Sequence, residues 1–399
     1  MRARSQSSPP RHHLFTFLEV FGCEGGIQTY VKDVLSAYEN AARQPDGSYS
    51  YTADVLLLRD PENSPNPFEE RDRSSEGLFR FHYLKLSPRS NGKVAIAIGR
   101  LRFALALVKQ LLVHRPSCVF CGHINVAPLT RELCGWFRVP YVVMTYGKEV
   151  WGTLPPKQVR SLLDARAIWT ISRYSRDRAV ESNHLPSEKF EMIPCIVDGD
   201  RFTPASKPQH LIDRYQLQDS KVLMTVARLW SGDPYKGVDV TIRALPKIAE
   251  AYPNVKYLAI GRGDDMPRLK QLAIDLGVAD RVVFAGFVAT EDLVDHYRVA
   301  DAYVMPSREG FGIVYLEAMA VGLPVLSGDS DGSADPLQDG RLGWHVPHRD
   351  PDAVAAACIE MLRGEDRRCD GEWLRKEMLA SFSPAALGQR VDAALSDRI

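Results

Sequence analysis

Short apolar runs rich in β-branched residues alternate with longer amphipathic segments, and the alternation runs its course twice along the chain. Parallel strands joined by crossover helices produce this pattern, because strands buried on both faces read as near-continuous apolar runs while the covering helices keep a polar side. In the first half, strands are expected at Leu14–Val20, Thr52–Leu58, Ser117–Phe120, Tyr141–Thr145, Ala167–Ile171 and Phe190–Ile193, with helices such as Ile27–Ala42 and Gly99–His114 between them. The second series runs Val222–Ala227, Val255–Ile260, Val282–Phe284, Ala302–Met305 and Pro324–Leu326. Two doubly wound α/β sheets in tandem, with a cleft between the halves, are the fold class this implies.

The expected boundaries are 1–13 without fixed structure, 14–195 as a first domain, 196–209 as a proline-bearing linker and 210–383 as a second domain. The final helical pattern, Trp373 to Leu395, supplies a terminal segment 384–399. The charged, proline-bearing stretch Arg59 to Gly77 reads as a long exposed loop.

Composition excludes several classes of function. Fifty Lys and Arg balance fifty Asp and Glu among 399 residues, so there is no cationic surplus to displace the counterions of a nucleic acid. Any anion must be met by a local site. No apolar run reaches the roughly 18 residues of a membrane span. The polar, basic start lacks the form of a secretory signal, and seven scattered cysteines suit a reducing compartment, so a cytoplasmic setting is expected. The lone CxxC of Cys118 and Cys121 lies in a strand pattern without a second pair to complete a zinc site. The apolar segment Leu101 to Leu112 is bracketed by Arg89, Lys93, Arg100, Arg102, Lys109 and Arg115. A core-facing helix with basic ends is the reading adopted; a helix lying on the anionic inner face of a membrane is the sharper one.

The most informative stretch runs from Ser307 to Pro324. Asp301 to Pro306 gives a strand and its exit, Gly310 and Gly312 permit a tight turn, and Ile313 to Val321 reads as a helix closed by Gly322 and Pro324. Unpaired N–H groups at that helix start suit phosphate or sugar oxygens. Glu309 and Glu317 flank the same turn, and carboxylates suit hydroxyl groups rather than phosphate. Arg228 ends the first strand of the second series, and Lys236 precedes the following helix at the same sheet edge. A ligand with both diphosphate and polyol character, a nucleotide sugar, is the expectation. In the first half, His123 follows a strand, and Lys148, Glu149 and Trp151 lie on the loop after another.

Ala227-Arg228-Leu229 with Lys236-Gly237, Gly261-Arg-Gly-Asp264, Gly286-Phe-Val288, Glu309-Gly-Phe-Gly followed by Glu317-Ala-Met-Ala, and Gly322-Leu-Pro-Val325 together resemble the family-4 retaining glycosyltransferases of GT-B fold. The resemblance runs from about residue 14 to the end and is strongest from 222 to 346. It implies that Arg228 and Lys236 neutralise the donor diphosphate and that Glu309 contacts the transferred sugar, these three being the catalytic set. Glu317 would hold the ribose hydroxyls. Backbone groups of Gly310, Phe311, Gly312 and Ile313 would bind sugar and phosphate. Gly261 would belong to the donor site, the segment Gly286 to Val288 with Phe287 would line the base, and Gly22, Gly25 and Gly26 would let the chain approach the diphosphate and acceptor closely. The last helix would cross back to the first domain.

Many members carry His where this chain has Tyr146, a phenol that can still donate a hydrogen bond, so the acceptor side, with His123, Tyr146, Lys148 and Glu149, departs from the family pattern. The expected reaction moves a hexose from a UDP- or GDP-linked sugar to a saccharide or lipid-linked saccharide. No carboxylate stands clearly as a nucleophile, which points to front-face transfer, and the two cations make a divalent metal or other cofactor unnecessary. Asp329-Ser-Asp331 has the form of a metal-binding pair but lies in an Asp-, Ser- and Gly-rich loop. Two alternatives stand beside this. A nucleotide-sugar-binding protein or sugar-nucleotide epimerase would keep the fold without transfer. A dinucleotide oxidoreductase would need a glycine fingerprint that Gly261-Arg-Gly-Asp-Asp-Met266 does not complete.

Overall fold

Seven apolar runs in the first half find one another as parallel strands: β1 (Arg11–Phe17), β2 (Tyr51–Leu57), β3 (Phe79–Tyr83), β4 (Cys118–Cys121), β5 (Tyr141–Thr145), β6 (Ala167–Thr170) and β7 (Phe190–Met192). They form one sheet in the order β3-β2-β1-β4-β5-β6-β7. A second parallel sheet holds β8 (Lys221–Val226), β9 (Val255–Ile260), β10 (Val282–Gly286), β11 (Ala302–Met305), β12 (Val325–Gly328) and β13 (Trp344–Val346), in the order β10-β9-β8-β11-β12-β13. The computed structural model describes residues 10–71, 77–85, 93–232 and 236–398. The chain divides into two units, Met1–Pro194 with Leu387–Ile399, and Cys195–Ala386.

Each sheet is covered by helices that bury their apolar stripes. In the first unit, helix Gly26–Ala42 turns Tyr30, Val31, Val34, Leu35 and Tyr38 inward. Leu14, Val119, Val143 and Ile168 of the central strands share a core cluster with Phe103, Leu107 and Leu133 of the helices. In the second unit, helices Val238–Ala251 and Pro351–Arg363 bury Ile242, Leu245, Val354 and Cys358 against Leu223, Tyr257 and Val304.

Several expectations need correction. The strand opens at Arg11, so Arg11, His12 and His13 are ordered in β1, while residues 1–9 lie outside the described residues. Edge strands β3 and β13 escape the sequence pattern because an edge strand is half-solvated: Arg80 and His82 interrupt the apolar run of β3, and β13 spans only Trp344–Val346. The stretch Arg59 to Gly77 is not a simple exposed loop, since Asp60, Asn66 and Phe68 are buried and helix Pro67–Arg71 forms within it; residues 72–76 lie outside the described residues. Residues Cys195 to Pro208 lack helix and strand but are packed into the second unit: Arg375 donates to the carbonyls of Gly199 and Phe202, and Val197 N–H donates to Phe382. The closing helical pattern is two helices, Gly371–Phe382 and Pro384–Arg398, because Pro384 forces Ser383 into extended backbone with ψ 165° and Ser383 Oγ then accepts from Ala386 N–H.

Helix Lys93–Val113 also departs from the core-facing reading. Phe103, Leu107, Gln110 and Leu111 are buried on one side, while Ile98, Leu101, Leu105 and Leu112 form an exposed apolar stripe on the other. Arg89 lies outside the described residues.

In the second sheet the exits of β8 and β9 cross in close contact, which only glycine permits. A Cβ on Gly261, whose φ is +137°, would sit 1.8 Å from the Ala227 carbonyl oxygen, and one on Gly263 would sit 1.7 Å from that of Leu229. We expect Gly261→Ala to destabilise the second unit by about 1–3 kcal/mol, the usual range for overpacking. A urea unfolding curve checks this, and an unchanged midpoint would show that the two exits can part.

Candidate active site

In each sheet the strand order reverses at one point, and there the connections diverge and leave an opening at the carboxyl edge. In the second sheet that point falls between β8 and β11, which pair through Leu223 with Ala302 and Met224 with Tyr303. Arg228 follows β8, Lys236 lies just before helix Val238–Ala251, and Ser307 to Gly312 follow β11. Topology therefore brings together Lys236 and Glu309, 73 residues apart in sequence. Lys236 Nζ donates to Glu309 Oε1, and with side-chain exposures of 19% and 15% this ion pair is largely shielded from water. Arg228 is exposed, with its guanidinium 5.5 Å from the ring centre of Trp230. Among the described residues no carboxylate is paired with Arg228.

The backbone of Glu309 is held on both sides by the loop after β12. Glu309 N–H donates to Asp331 Oδ2, and Gly332 N–H donates to the Glu309 carbonyl at 2.8 Å. Asp331 Oδ1 accepts from Ser333 N–H and hydroxyl, so both oxygens of the apparent metal-binding pair are engaged in ordering this loop. Burial, reinforced by the nearby Glu309 charge and partly offset by hydrogen bonds from Ser333 and the Glu309 backbone, pushes the Asp331 carboxyl up to about 6. No motif in the sequence signals this role; the contact joins two loops across adjacent strands.

Glu317 lies on helix Ile313–Ala320, where Tyr297 OH donates to its Oε2 at 2.6 Å. Burial raises the Glu317 carboxyl, while the Tyr297 hydrogen bond and Arg201 oppose the rise. Gly312, at φ +92°, opens the helix in a conformation suited to glycine, and a Cβ there would meet the Tyr315 ring at 2.3 Å. Phe311 turns its ring into the core, 5.7 Å from Phe382, which leaves only the backbone of Gly310 to Ile313 facing outward for a ligand. Phe287 is 63% exposed beneath the Arg262 guanidinium at 4.7 Å, with Val288 partly buried beside it. Gly261 belongs to the crossing of strand exits described above, so its side of the site is explained by packing.

In the first sheet the reversal falls between β1 and β4. Gly25 and Gly26 begin the helix after β1 and are exposed. The loop before them is not an open phosphate cradle: the N–H groups of Val20, Phe21 and Gly22 all donate to the buried Asp60 carboxylate, a partner the sequence did not suggest. His123 follows β4, its Nδ1 accepts from Asn125 N–H, and burial, with Arg59 nearby, lowers its pKa. The neutral ring therefore keeps its proton on Nε2. Tyr146, expected to offer its phenol to a sugar, is buried, and its hydroxyl donates to the Gly122 carbonyl at 2.7 Å, so that proton is committed to the protein. Lys148 is exposed on the same loop, and Glu149 is held back by accepting from Tyr146 N–H.

The Asp331 environment has a measurable consequence. Its pKa rises from the ordinary 3.8 to about 6, so folding favours the protonated form. Its contribution is full at pH values below the ordinary one and is lost as pH climbs through about 6. The stability difference between the native chain and Asp331→Asn should therefore shift against the native chain by about 3 kcal/mol between pH 3.5 and 7. Urea unfolding across that range checks it; parallel pH profiles would show that the carboxyl is solvated.

With this geometry established, comparison with known proteins places the chain. The family model for glycosyl transferases group 1 matches residues 220–364. A GDP-mannose-dependent alpha-(1-6)-phosphatidylinositol monomannoside mannosyltransferase of Mycolicibacterium smegmatis is 38% identical over 250 residues, 59% of this chain and 64% of that protein. The chain thus matches just under two thirds of that relative's length. A phosphatidyl-myo-inositol mannosyltransferase of Mycobacterium tuberculosis is 32% identical over 281 residues, covering 68% of this chain and 70% of that protein. Among solved structures, Anabaena HepE in complex with UDP and glucose superposes with a TM-score of 0.70 at 18% identity, over 96% of this chain and 99% of that one. A glycosyltransferase from Rickettsia africae gives a TM-score of 0.75 at 16% identity, over 98% and 100% of the two chains. These structural likenesses establish the GT-B fold. The sequence relationship establishes the family: this chain belongs to the glycosyl transferases of group 1.

Proposed function

We propose that this chain is a retaining mannosyltransferase that takes mannose from GDP-mannose and attaches it to a phosphatidylinositol-linked acceptor at a membrane surface, with no divalent metal in the transfer step. The observation that carries this reading is the Lys236–Glu309 pair at the reversal point of the second sheet, where Arg228 also follows the end of β8. A diphosphate suits both cations, and as it draws Lys236 away, hydroxyls of the sugar supply the hydrogen bonds that the Glu309 carboxylate gives up. Glu317, with one oxygen already held by Tyr297, suits the ribose hydroxyls. The relatives in Mycolicibacterium smegmatis and Corynebacterium glutamicum are named for a GDP-mannose donor and a phosphatidylinositol-linked acceptor, and this supports the same choice here.

In the transfer step the anomeric carbon–oxygen bond to the diphosphate breaks and its electron pair stays with the leaving group. The acceptor oxygen attacks the oxocarbenium-like carbon from the same face, and its proton passes to the departing diphosphate. Arg228 and Lys236 stabilise the negative charge that grows on that diphosphate. Lys236→Ala and Arg228→Ala should each lower turnover about 100- to 1000-fold, with melting temperatures that still show a folded chain. The assay is GDP release from GDP-mannose stimulated by acceptor lipid, with UDP-sugars as the contrasting donors. Near-normal turnover in either variant overturns the mechanism. Sugar-nucleotide turnover without acceptor would favour the epimerase alternative.

A lipid-linked acceptor requires access to a bilayer surface. Among the described residues no helix is long and apolar enough to cross a membrane. Helix Lys93–Val113 instead supports contact from one side: Ile98, Leu101, Leu105, Leu112 and Val113 are exposed, interleaved with exposed Arg100, Arg102 and Lys109 and followed by Arg115. Apolar side chains flanked by cations suit an interface of anionic lipid. The chain should sediment with phosphatidylinositol-containing vesicles and be released by salt, and Leu101→Gln with Leu105→Gln should weaken binding at least tenfold. Equal binding by that double variant would remove this helix from the contact.

A further inference from the structure

Away from the carboxyl edge, the first three strands of the first sheet gather a set of side chains that the transfer reaction does not use. Asp54 of β2 is completely buried, yet both of its oxygens face imidazole nitrogens: Oδ2 lies 2.8 Å from His12 Nε2 on β1, and Oδ1 lies 2.6 Å from His82 Nε2 on β3. A third histidine, His114, follows helix Lys93–Val113, its ring centre 5.6 Å from that of His12. We propose that His12, Asp54 and His114 bind one divalent transition-metal ion of the zinc class, with His82 orienting Asp54 from its other oxygen.

The geometry supports this in three ways. One ligand atom from each of His12, Asp54 and His114 lies within 4.8 Å of the other two. Zinc bonds of 2.0–2.2 Å place tetrahedral ligands roughly 3.3 Å apart, so a modest swing of His114, which stands beyond the helix end, closes the set. The outer contacts are also in place: His12 uses its second nitrogen, Nδ1, to meet Thr52 Oγ1 at 3.0 Å, and such a bond fixes the ring that binds a metal.

The third is the donor set, since one carboxylate and two imidazoles suit a divalent cation of intermediate softness. Beside it lies an unsatisfied amide. Gln110, 3% exposed, brings its Nε2 to 3.1 Å from His82 Nε2, while its Oε1 is buried without a partner. His82 Nε2 cannot both donate to Asp54 and accept from Gln110, because a neutral imidazole nitrogen does one or the other. Turning the amide satisfies His82 but moves the orphaned position to the amide nitrogen. The polar set around His82 is therefore left incomplete.

Such an ion would join β1 and β2 to the end of helix Lys93–Val113, and the site requires no role in sugar transfer. The test uses the whole chain without a histidine tag, stripped of metal and titrated with zinc chloride and, separately, cobalt chloride. One equivalent of zinc should bind, the melting temperature should rise, and cobalt should show the intense visible bands of a four- or five-coordinate site. His114→Ala, at a partly exposed position, should abolish the cobalt spectrum and the zinc-induced rise, and Thr52→Val should weaken zinc binding about 10- to 100-fold. The proposal is overturned if the native chain binds no stoichiometric zinc, or if His114→Ala binds zinc and cobalt as the native chain does. Should His12→Gln fail to fold, the His114 and Thr52 variants still decide the matter.

Discussion

The ion pair between Lys236 and Glu309 is the interaction on which the second unit's site depends. Neither charge is well solvated, so removing Lys236 would take from Glu309 its nearby cation, at a cost of several kcal/mol. The pair forms because β8 and β11 are neighbours although their sequences are far apart, and the opening at the strand reversal lies directly at their carboxyl ends. An ion pair in that opening is complementary to itself until a ligand supplies an anion for the lysine and hydroxyls for the glutamate. Under the reading proposed here, that exchange accounts for both signs of charge in the site.

The rest of the local structure fixes the position of Glu309. Asp331 and Gly332 hold its amide and carbonyl, and Ser333 holds Asp331 in turn. Glu317 is fixed separately, through Tyr297, itself part of a buried row of rings that includes Tyr303 and Tyr315. The two carboxylates therefore rest on different supports. Loosening the loop after β12 would move Glu309 while leaving Glu317 in place.

Much of this was legible in the sequence, and the physical reason is burial. Central strands such as β5, β9 and β11 are largely buried, so their residues are mostly apolar and their ranges could be read directly: Tyr141–Thr145, Val255–Ile260 and Ala302–Met305. The Arg, Lys and Glu of the second unit were legible because they sit at fixed offsets from those strand ends. What escaped the reading depends on contacts between distant segments. Asp60 beneath the loop after β1, Asp331 behind Glu309 and Gly122 accepting from Tyr146 are partners set by strand order, which local periodicity does not encode. Of the four edge strands, β3 and β13 escaped, β3 because Arg80 and His82 interrupt its apolar run and β13 because it is only three residues long.

Helix Lys93–Val113 shows how the same ambiguity bears on function. A helix apolar on most of its circumference is either buried all round or meets a second apolar phase. Its inner face is settled by Phe103, Leu107 and Leu111, so the exposed stripe of Ile98, Leu101, Leu105 and Leu112 is not required for packing within the first unit. An exposed apolar row of that length is unfavourable in water unless something covers it. Cations set between its apolar positions would draw an anionic lipid surface toward it and also oppose self-association by mutual repulsion. The helix is tied to the sheet on its inner side through Gln110, which reaches His82, and ends at His114 beside His12.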